Sequence, residues 1–153
     1  MATTTANATQ LGSMAPDFTL AGSSGQVSLS DYRGKQSVAV YFMREYSCAL
    51  SRKNVQMLKH LYPTLQACDA EVLVIGSGSS AQAQQLAATL RVPFPVLADA
   101  DREVYRRYGL GKVVGVWQRS GTVIVDKDGR VIYLHLNTIP TELDEAAVLK
   151  ALA

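Results

Sequence analysis

Apolar residues follow two different periods along the chain. The runs "SVAVYFM" (37–43) and "EVLVIGSG" (71–78) are continuous and rich in β-branched residues, which indicates strands buried on both faces of a sheet. Between them, from Cys48 onward, apolar positions recur every three or four residues, which predicts a helix. Pro63 lies inside this stretch, and we expect it to kink the helix or to begin a new segment.

Shorter patterns complete the order of elements and predict an α/β fold. Strands that alternate with helices, begin with a hairpin and end with another favour three layers around a central mixed β-sheet. The segment 111–120 fits no element clearly. The remaining predictions are an N-terminal β-hairpin (18–29), a helix capped by Ser79 or Ser80 (81–90), a strand (94–99), a helix closed by Gly109 (100–110), a hairpin (121–136) and a C-terminal helix (142–153).

Composition and charge indicate which classes of protein the sequence does not favour. The 153 residues suit one domain, which we place at 11–153, after a flexible Thr/Ala-rich tail at 1–10 without the features of a secretory signal. The net charge is +2, and the sequence contains neither a basic run for nucleic acid nor an apolar run long enough for a membrane span. Two cysteines do not make a disulfide framework, so we expect a reducing, cytoplasmic setting.

The candidate chemistry lies in "YFMREYSCALSRKN" (41–54), where Cys48 follows a strand and begins a helix. The N–H groups of a helix N-terminus stabilise a thiolate. Ser51 lies three residues on, on the same helix face, and can donate a hydrogen bond to the sulfur. Arg44 adds positive charge, whereas Glu45 would raise the pKa of the thiol if it lies close.

The opposing interpretation is a buried, inert cysteine, which is common. We assign that structural role to Cys68, because a helix of 20 residues would separate it from Cys48 by roughly 30 Å, too far for a disulfide. His60 and His135 lack partners at metal-ligand spacing, so the sequence predicts no metal site.

Several motifs follow one another in a characteristic order: "APDFTL" (15–20), "VSLSDYRGK" (27–35), "YFMREYSC" (41–48), "PFPVLADADREVYRRYGL" (93–110) and "GTVIVDKDGRVIYLH" (121–135). Their order resembles the peroxiredoxin (AhpC/TSA, redoxin) family of thioredoxin-fold proteins, in particular a subgroup with C-x-x-[CS] in the loop. The resemblance implies a thioredoxin-like fold and a Cys48 that attacks a peroxide O–O bond to become a sulfenic acid. It also implies a thiolate-stabilising arginine, for which Arg119 is the candidate, one residue before the expected position.

The chain departs from the family pattern P-x-x-x-T-x-x-C at three places. Tyr41 replaces the proline, Glu45 replaces the threonine, and Ser51 replaces the second cysteine of the subgroup. Ser47 is our candidate for the missing hydroxyl. Trp117 is expected either to form one wall of the cysteine pocket or to lie in the core.

These observations lead to a first hypothesis and two alternatives. The first is a 1-Cys thiol peroxidase without a cofactor, which reduces hydroperoxides and is restored by an external thiol of the thioredoxin or glutathione type. The second is a monothiol–disulfide oxidoreductase, although segment 115–122 lacks the proline that such sites place opposite the cysteine. The third is a non-catalytic binding module. The resemblance also implies a possible homodimer.

Overall fold

The computed structural model describes residues 9–111, 118–137 and 141–153. Its element order agrees with the predicted α/β alternation. A short 3-10 turn at Leu29–Tyr32 was not predicted. The elements are β1 (Thr19–Gly22), β2 (Gly25–Ser28), β3 (Ser37–Phe42), α1 (Ala49–Ala67), β4 (Ala70–Gly76), α2 (Ser80–Leu90), β5 (Val96–Ala98), α3 (Glu103–Arg107), β6 (Ser120–Val125), β7 (Val131–Asn137) and α4 (Glu145–Leu152).

The strands form one mixed sheet in the order β2-β1-β5-β4-β3-β6-β7. Its three central strands, β5, β4 and β3, are parallel, and the hairpins β1–β2 and β6–β7 add antiparallel strands on either side. The predicted central mixed sheet and N-terminal hairpin are therefore confirmed. Because β3 and β4 run in the same direction, the loops that follow them lie at the same end of the sheet.

Two apolar cores cover the two faces of the sheet, which makes the three predicted layers. Alternation along β3 sends Tyr41 to one face and Phe42 to the other. The first core contains residues from α1, α2 and α4, such as Leu58, Leu86 and Val148. The second contains residues from α3 and from the chain before β1.

The structure differs from the sequence-based predictions at a few boundaries. Helix α1 continues through Pro63, so no new segment begins there. Thr9, in the predicted tail, is buried, and its hydroxyl donates to the Arg107 carbonyl at 3.3 Å. Residues 1–8 of the predicted tail lie outside the described residues. Most of the ambiguous segment 111–120 also lies outside them. No helix in the described ranges has the length and apolar character needed to cross a membrane.

Tyr105 in α3 binds the backbone at the ends of β3 and β4. The loop with Cys48 follows β3, and the β4–α2 loop follows β4. Its side chain is fully buried, and its hydroxyl lies 2.5 Å from the Met43 carbonyl oxygen and 3.0 Å from that of Ile75. Burial raises the pKa of Tyr105 well above its ordinary value, so the hydroxyl keeps its proton and shares it between the two carbonyls. One side chain from the α3 layer therefore links the adjacent ends of β3 and β4.

We predict that Tyr105→Phe destabilises the fold by about 1–3 kcal/mol, because it leaves two buried carbonyl oxygens without this donor. Chemical denaturation measures the loss. Tyr133→Phe is the matched control, since the Tyr133 hydroxyl makes no hydrogen bond in the described structure, and it should change the free energy of unfolding by much less. Equal effects of the two substitutions would contradict the role given to Tyr105.

Candidate active site

Tyr46 holds the loop between β3 and α1 in place. Its ring is 9% exposed and its hydroxyl donates to the Leu97 carbonyl at 2.7 Å. The ring packs on Gly76, the last residue of β4, and on Gly78 in the loop after it, where a Cβ would lie 2.1 or 2.8 Å from ring atoms. Only glycine leaves room for the ring at these two positions. Arg52 of α1 donates from Nε to the Tyr46 carbonyl at 2.6 Å and fixes the loop from the other side.

Cys48 is the N-cap residue of α1. The backbone N–H of Ser51 donates to the Cys48 sulfur at 3.5 Å, so the sulfur takes the place that a serine or aspartate oxygen usually occupies at a helix start. The positive end of the helix dipole therefore points at the sulfur. The cysteine is neither fully buried nor fully exposed, which leaves it within reach of a small reagent.

Ser51 and Arg44 determine the protonation state of this sulfur. Ser51 is buried, and its hydroxyl oxygen accepts the backbone N–H of Arg44 at 3.1 Å. Partial burial raises the pKa of the Cys48 thiol, but hydrogen bonds from the Ser51 hydroxyl and amide and from the Arg44 side chain outweigh it. The charge of Arg44 acts in the same direction. The pKa of Cys48 consequently lies below that of an ordinary cysteine, which favours the thiolate.

Two further candidate residues, Glu45 and Ser47, lie in the loop before Cys48, and a third is Trp117. The Glu45 carboxylate is exposed and pairs with Nη1 of Arg44 at 3.4 Å, and it is not among the groups that shift the Cys48 pKa. Ser47 is exposed, and its hydroxyl has no hydrogen bond in the described structure. Trp117 lies outside the described residues. The substrate-binding roles of all three stay predictions.

The described contact of the Arg119 guanidinium is with the chain after α3 rather than with Cys48. Its Nη1 donates to the Gly109 carbonyl at 3.1 Å, just after α3. Arg119 comes one residue before β6, and its Nη1 contact is with the chain after α3 rather than with α1. The guanidinium that lowers the pKa of the sulfur is that of Arg44. The predicted thiolate-stabilising role of Arg119 stays a prediction.

Tyr41 and Asn54 complete the surroundings of the sulfur and were missed by sequence analysis. The Asn54 amide nitrogen donates to the Tyr41 hydroxyl at 3.0 Å, on the buried side of Ser51. Burial raises the pKa of Tyr41, while hydrogen bonds from Asn54 and Ser51 oppose this and the negative charge of Cys48 adds to it. The residue at the proline position of the family pattern therefore brings a protonated hydroxyl towards the thiolate. The sequence signal that could have identified Asn54 is its place, as a polar residue, among the apolar positions of α1.

Cys68 lies far from Cys48 in the structure. The two cysteines are the N-cap and C-cap residues of the same 19-residue helix. A helix of this length spans roughly 28 Å, whereas a disulfide needs Cα atoms within about 7 Å. Both cysteines are free. Within the described ranges, no three His, Cys, Asp or Glu side chains are grouped in a way that could hold a metal ion.

A model of the AhpC/TSA family matches residues 11–134, which is most of the chain. The chain belongs to the AhpC/TSA family. Peroxiredoxin 2 from Thermoplasma acidophilum is 30% identical over 120 residues, which cover 74% of this chain and 57% of that protein. Peroxiredoxin from Thermoplasma volcanium is 28% identical over 120 residues, 74% of this chain and 56% of that protein. This AhpC/TSA chain thus spans little more than half the length of the curated relatives it matches first.

Solved structures confirm the thioredoxin-like peroxiredoxin fold. Peroxidoxin BcpB from Mycobacterium tuberculosis superposes with a TM-score of 0.85 at 19% identity, covering 94% of this AhpC/TSA chain and 96% of that chain. A putative thiol:disulfide interchange protein DsbE from Chlorobium tepidum superposes with a TM-score of 0.75 at 23% identity. The match covers 95% of this chain and 99% of that chain. At these identities the likeness establishes the fold alone.

We predict that Ser51→Ala raises the pKa of Cys48 in this AhpC/TSA protein, because the hydroxyl that stabilises the thiolate is removed. The thiolate absorbance in the ultraviolet, followed against pH, measures the change. At neutral pH the thiolate fraction, and with it the rate of alkylation by iodoacetamide, should fall. Ser47→Ala is the control and should leave the titration unchanged, since its hydroxyl is exposed. An unaltered pKa in Ser51→Ala would contradict this assignment.

We also predict that Gly76→Ala destabilises the fold by about 1–3 kcal/mol, because the new methyl group forces the Tyr46 ring off its contact with the β4–α2 loop. Thermal denaturation measures the loss. Gly111→Ala, where the added Cβ meets no atom of the described residues within 4 Å, is the matched control. A Gly76→Ala protein as stable as the control would mean that the ring can move without cost.

Proposed function

We propose that this chain is a thiol peroxidase of the 1-Cys type, in which Cys48 reduces hydroperoxides and an external thiol restores it. The observation that carries the proposal is the lowered pKa of a partly exposed sulfur at the N-terminus of α1. A thiolate is the form of cysteine that attacks peroxides, and its accessibility decides whether a small oxidant reaches it. Membership of the AhpC/TSA family supports the same chemistry.

In the first half of the cycle, the Cys48 thiolate attacks one oxygen of the hydroperoxide. The S–O bond forms as the O–O bond breaks, the sulfur is oxidised to sulfenic acid, and the alkoxide leaves as an alcohol after taking a proton. Arg44 and the Ser51 amide and hydroxyl stabilise the attacking anion. We assign to Ser47 and Glu45, in the loop before Cys48, the weaker role of contacting the substrate. The same role stays a prediction for Trp117, which lies outside the described residues.

The second half of the cycle requires a thiol from outside the chain. Ser51 cannot form a disulfide, and Cys68 caps the far end of the helix that Cys48 begins. A thiol of the thioredoxin or glutathione type would attack the sulfenic acid, and a second thiol would release the reduced protein. Such a cycle suits the reducing, cytoplasmic setting expected from the two free cysteines.

The same proposal includes the pairing of two chains, which the family resemblance implies. Strands β2 and β7 end the order of the described sheet on its two sides. Exposed strand edges are common sites of association. Sedimentation of the purified protein would distinguish a dimer from a monomer.

We predict that Cys48→Ser abolishes hydroperoxide consumption in the presence of a thiol reductant, whereas Cys68→Ser retains it. The physical reason is that Arg44 and Ser51 stabilise the Cys48 thiolate in the loop after β3, whereas Cys68 caps the far end of α1. Mass spectrometry of the wild-type protein treated with one equivalent of hydrogen peroxide and with dimedone should detect the dimedone thioether at Cys48, formed from the sulfenic acid with loss of water. Towards acid, the rate of oxidation should fall only below the lowered pKa of Cys48, because protonation removes the nucleophile.

Other outcomes would favour the alternatives. A bond between Cys48 and Cys68 within one chain would contradict the 1-Cys cycle. Slow reaction with peroxide but rapid exchange with glutathione disulfide would replace the peroxidase by a monothiol–disulfide oxidoreductase. A Cys48 pKa at or above that of a free thiol, with neither reaction, would leave a non-catalytic binding module.

A further inference from the structure

A cavity of about 510 Å³ lies beside the cysteine loop and is lined by Glu45 and Ser47, but its other walls have no part in the chemistry described so far. We call it the α2 cavity, because one of its walls is the face of α2 that carries Gln82, Gln85 and Thr89. Loop residues 45–47 form a second wall, so the cavity reaches the residue next to Cys48. Its volume lies in the range of pockets that hold small organic ligands, and most of its lining residues are polar.

Two guanidinium groups on the lining have no carboxylate partner in the part of the chain described. Arg52 uses Nε on the Tyr46 carbonyl, which leaves the rest of its planar group without a described partner. Arg102 forms no described ion pair, and its Nε is buried without a hydrogen-bond acceptor. A buried guanidinium nitrogen without an acceptor is costly, and a carboxylate would satisfy it in a bidentate manner. The one acidic side chain on the described lining, Glu45, already faces Arg44.

Gln118 adds an unused acceptor to the same cavity. It is 4% exposed, and its amide nitrogen donates to the Leu110 carbonyl at 2.7 Å and to the Arg119 carbonyl at 3.0 Å. These two acceptors fix the orientation of the amide, because a flipped group would place oxygen against oxygen. The remaining oxygen, Oε1, is buried and has no donor among the described residues. Buried polar atoms are nearly always paired, so this one points to a ligand that donates an N–H group.

The lining therefore fits a small molecule that carries carboxylates and an amide or amine N–H. The position of the cavity restricts the class further, since it ends at Ser47, the residue before the cysteine at which an external thiol must arrive. We propose that the α2 cavity binds the reductant of Cys48, and that this reductant is a low-molecular-weight peptide thiol with free carboxylates. The inference rests on the proposed function and assigns the thiol that the cycle requires.

The step served by the cavity is the reduction of the sulfenic acid. The bound thiol attacks the Cys48 sulfur, a disulfide between ligand and protein forms, the S–O bond breaks, and hydroxide leaves as water with the thiol proton. A second molecule of the same thiol then attacks the ligand sulfur. This step releases the Cys48 thiolate and a disulfide of two ligand molecules, and the electrons of two thiols thereby balance the reduction of one hydroperoxide.

The test compares two thiols, glutathione and the uncharged N-acetylcysteamine, in the reduction of Cys48 sulfenic acid by the full chain. We expect glutathione to react faster, and the ratio of the two rate constants to fall about tenfold in Gln85→Glu, which places a carboxylate on the cavity wall. Gln84→Glu is the matched control, because it adds the same charge to the same helix outside the cavity lining, and should keep the wild-type ratio. The ratio cancels any effect of the new charge on Cys48 itself.

A second measurement separates this inference from the peroxidase proposal. S-methylglutathione, which cannot react, should bind the reduced protein in a calorimetric titration, and Gln85→Glu should weaken that binding about tenfold. Equal rates with both thiols, together with no binding, would overturn the inference, as would reduction by a thioredoxin-type protein alone. If no hydroperoxide oxidises Cys48, the peroxidase proposal fails, and the titration still decides whether the cavity holds a carboxylate-bearing peptide.

Discussion

The hydrogen bond from the Ser51 amide to the Cys48 sulfur is the contact on which the site depends. It makes the sulfur the N-cap of α1, so the same atom that reacts also helps to begin the helix. Ser51 in turn is held by the Arg44 amide, which belongs to the loop on the other side of the sulfur. Stabilisation of the thiolate and folding of the strand–loop–helix unit are therefore achieved by the same few groups, rather than by groups added to a finished scaffold.

The surroundings of this unit explain why the loop keeps one shape. The Tyr105 hydroxyl of α3 donates to the Met43 carbonyl at the end of β3. The Tyr46 ring packs on Gly76 and Gly78 at the end of β4. Each tyrosine buries its ring in apolar packing and directs its hydroxyl to a backbone carbonyl, a use that suits an aromatic residue with one polar end. The loop is consequently fixed from both layers of the fold, and the Cys48 sulfur is presented at a constant position relative to α1.

Much of this architecture was readable in the sequence because it depends on local patterns. The continuous apolar run of β3, the turn around Asp126–Gly129 and the spacing between Cys48 and Ser51 each act within a few residues. Other features involve geometry that such patterns do not carry. Arg119 was chosen from the family resemblance, and the contact described for it is with the Gly109 carbonyl. Pro63 was expected to kink α1 or to begin a new segment, and the helix continues through it as one element.

The α2 cavity was also beyond sequence analysis, since its walls come from segments that are remote along the chain. Arg52, Arg102 and Gln118 carry no common motif, and their shared surroundings exist only after the parallel strands bring their loops to one end of the sheet. Ser47 and Glu45 were chosen for their nearness to Cys48 in sequence. The fold gives that choice a different meaning, because both line the cavity rather than the immediate surroundings of the sulfur.

Asn54 has a consequence that reaches the end of the chain. Its amide nitrogen donates to the Thr141 carbonyl at 2.9 Å as well as to Tyr41, and its oxygen accepts the Leu143 N–H at 2.8 Å. The stretch leading into the last helix is thereby anchored to the same turn of α1 that supports the thiol. Aspartate at position 54 would set a negative oxygen against a carbonyl, and leucine would leave the Tyr41 hydroxyl, the Thr141 carbonyl and the Leu143 N–H without this partner. The position of the C-terminal stretch and the support of the reactive centre therefore depend on the same carboxamide.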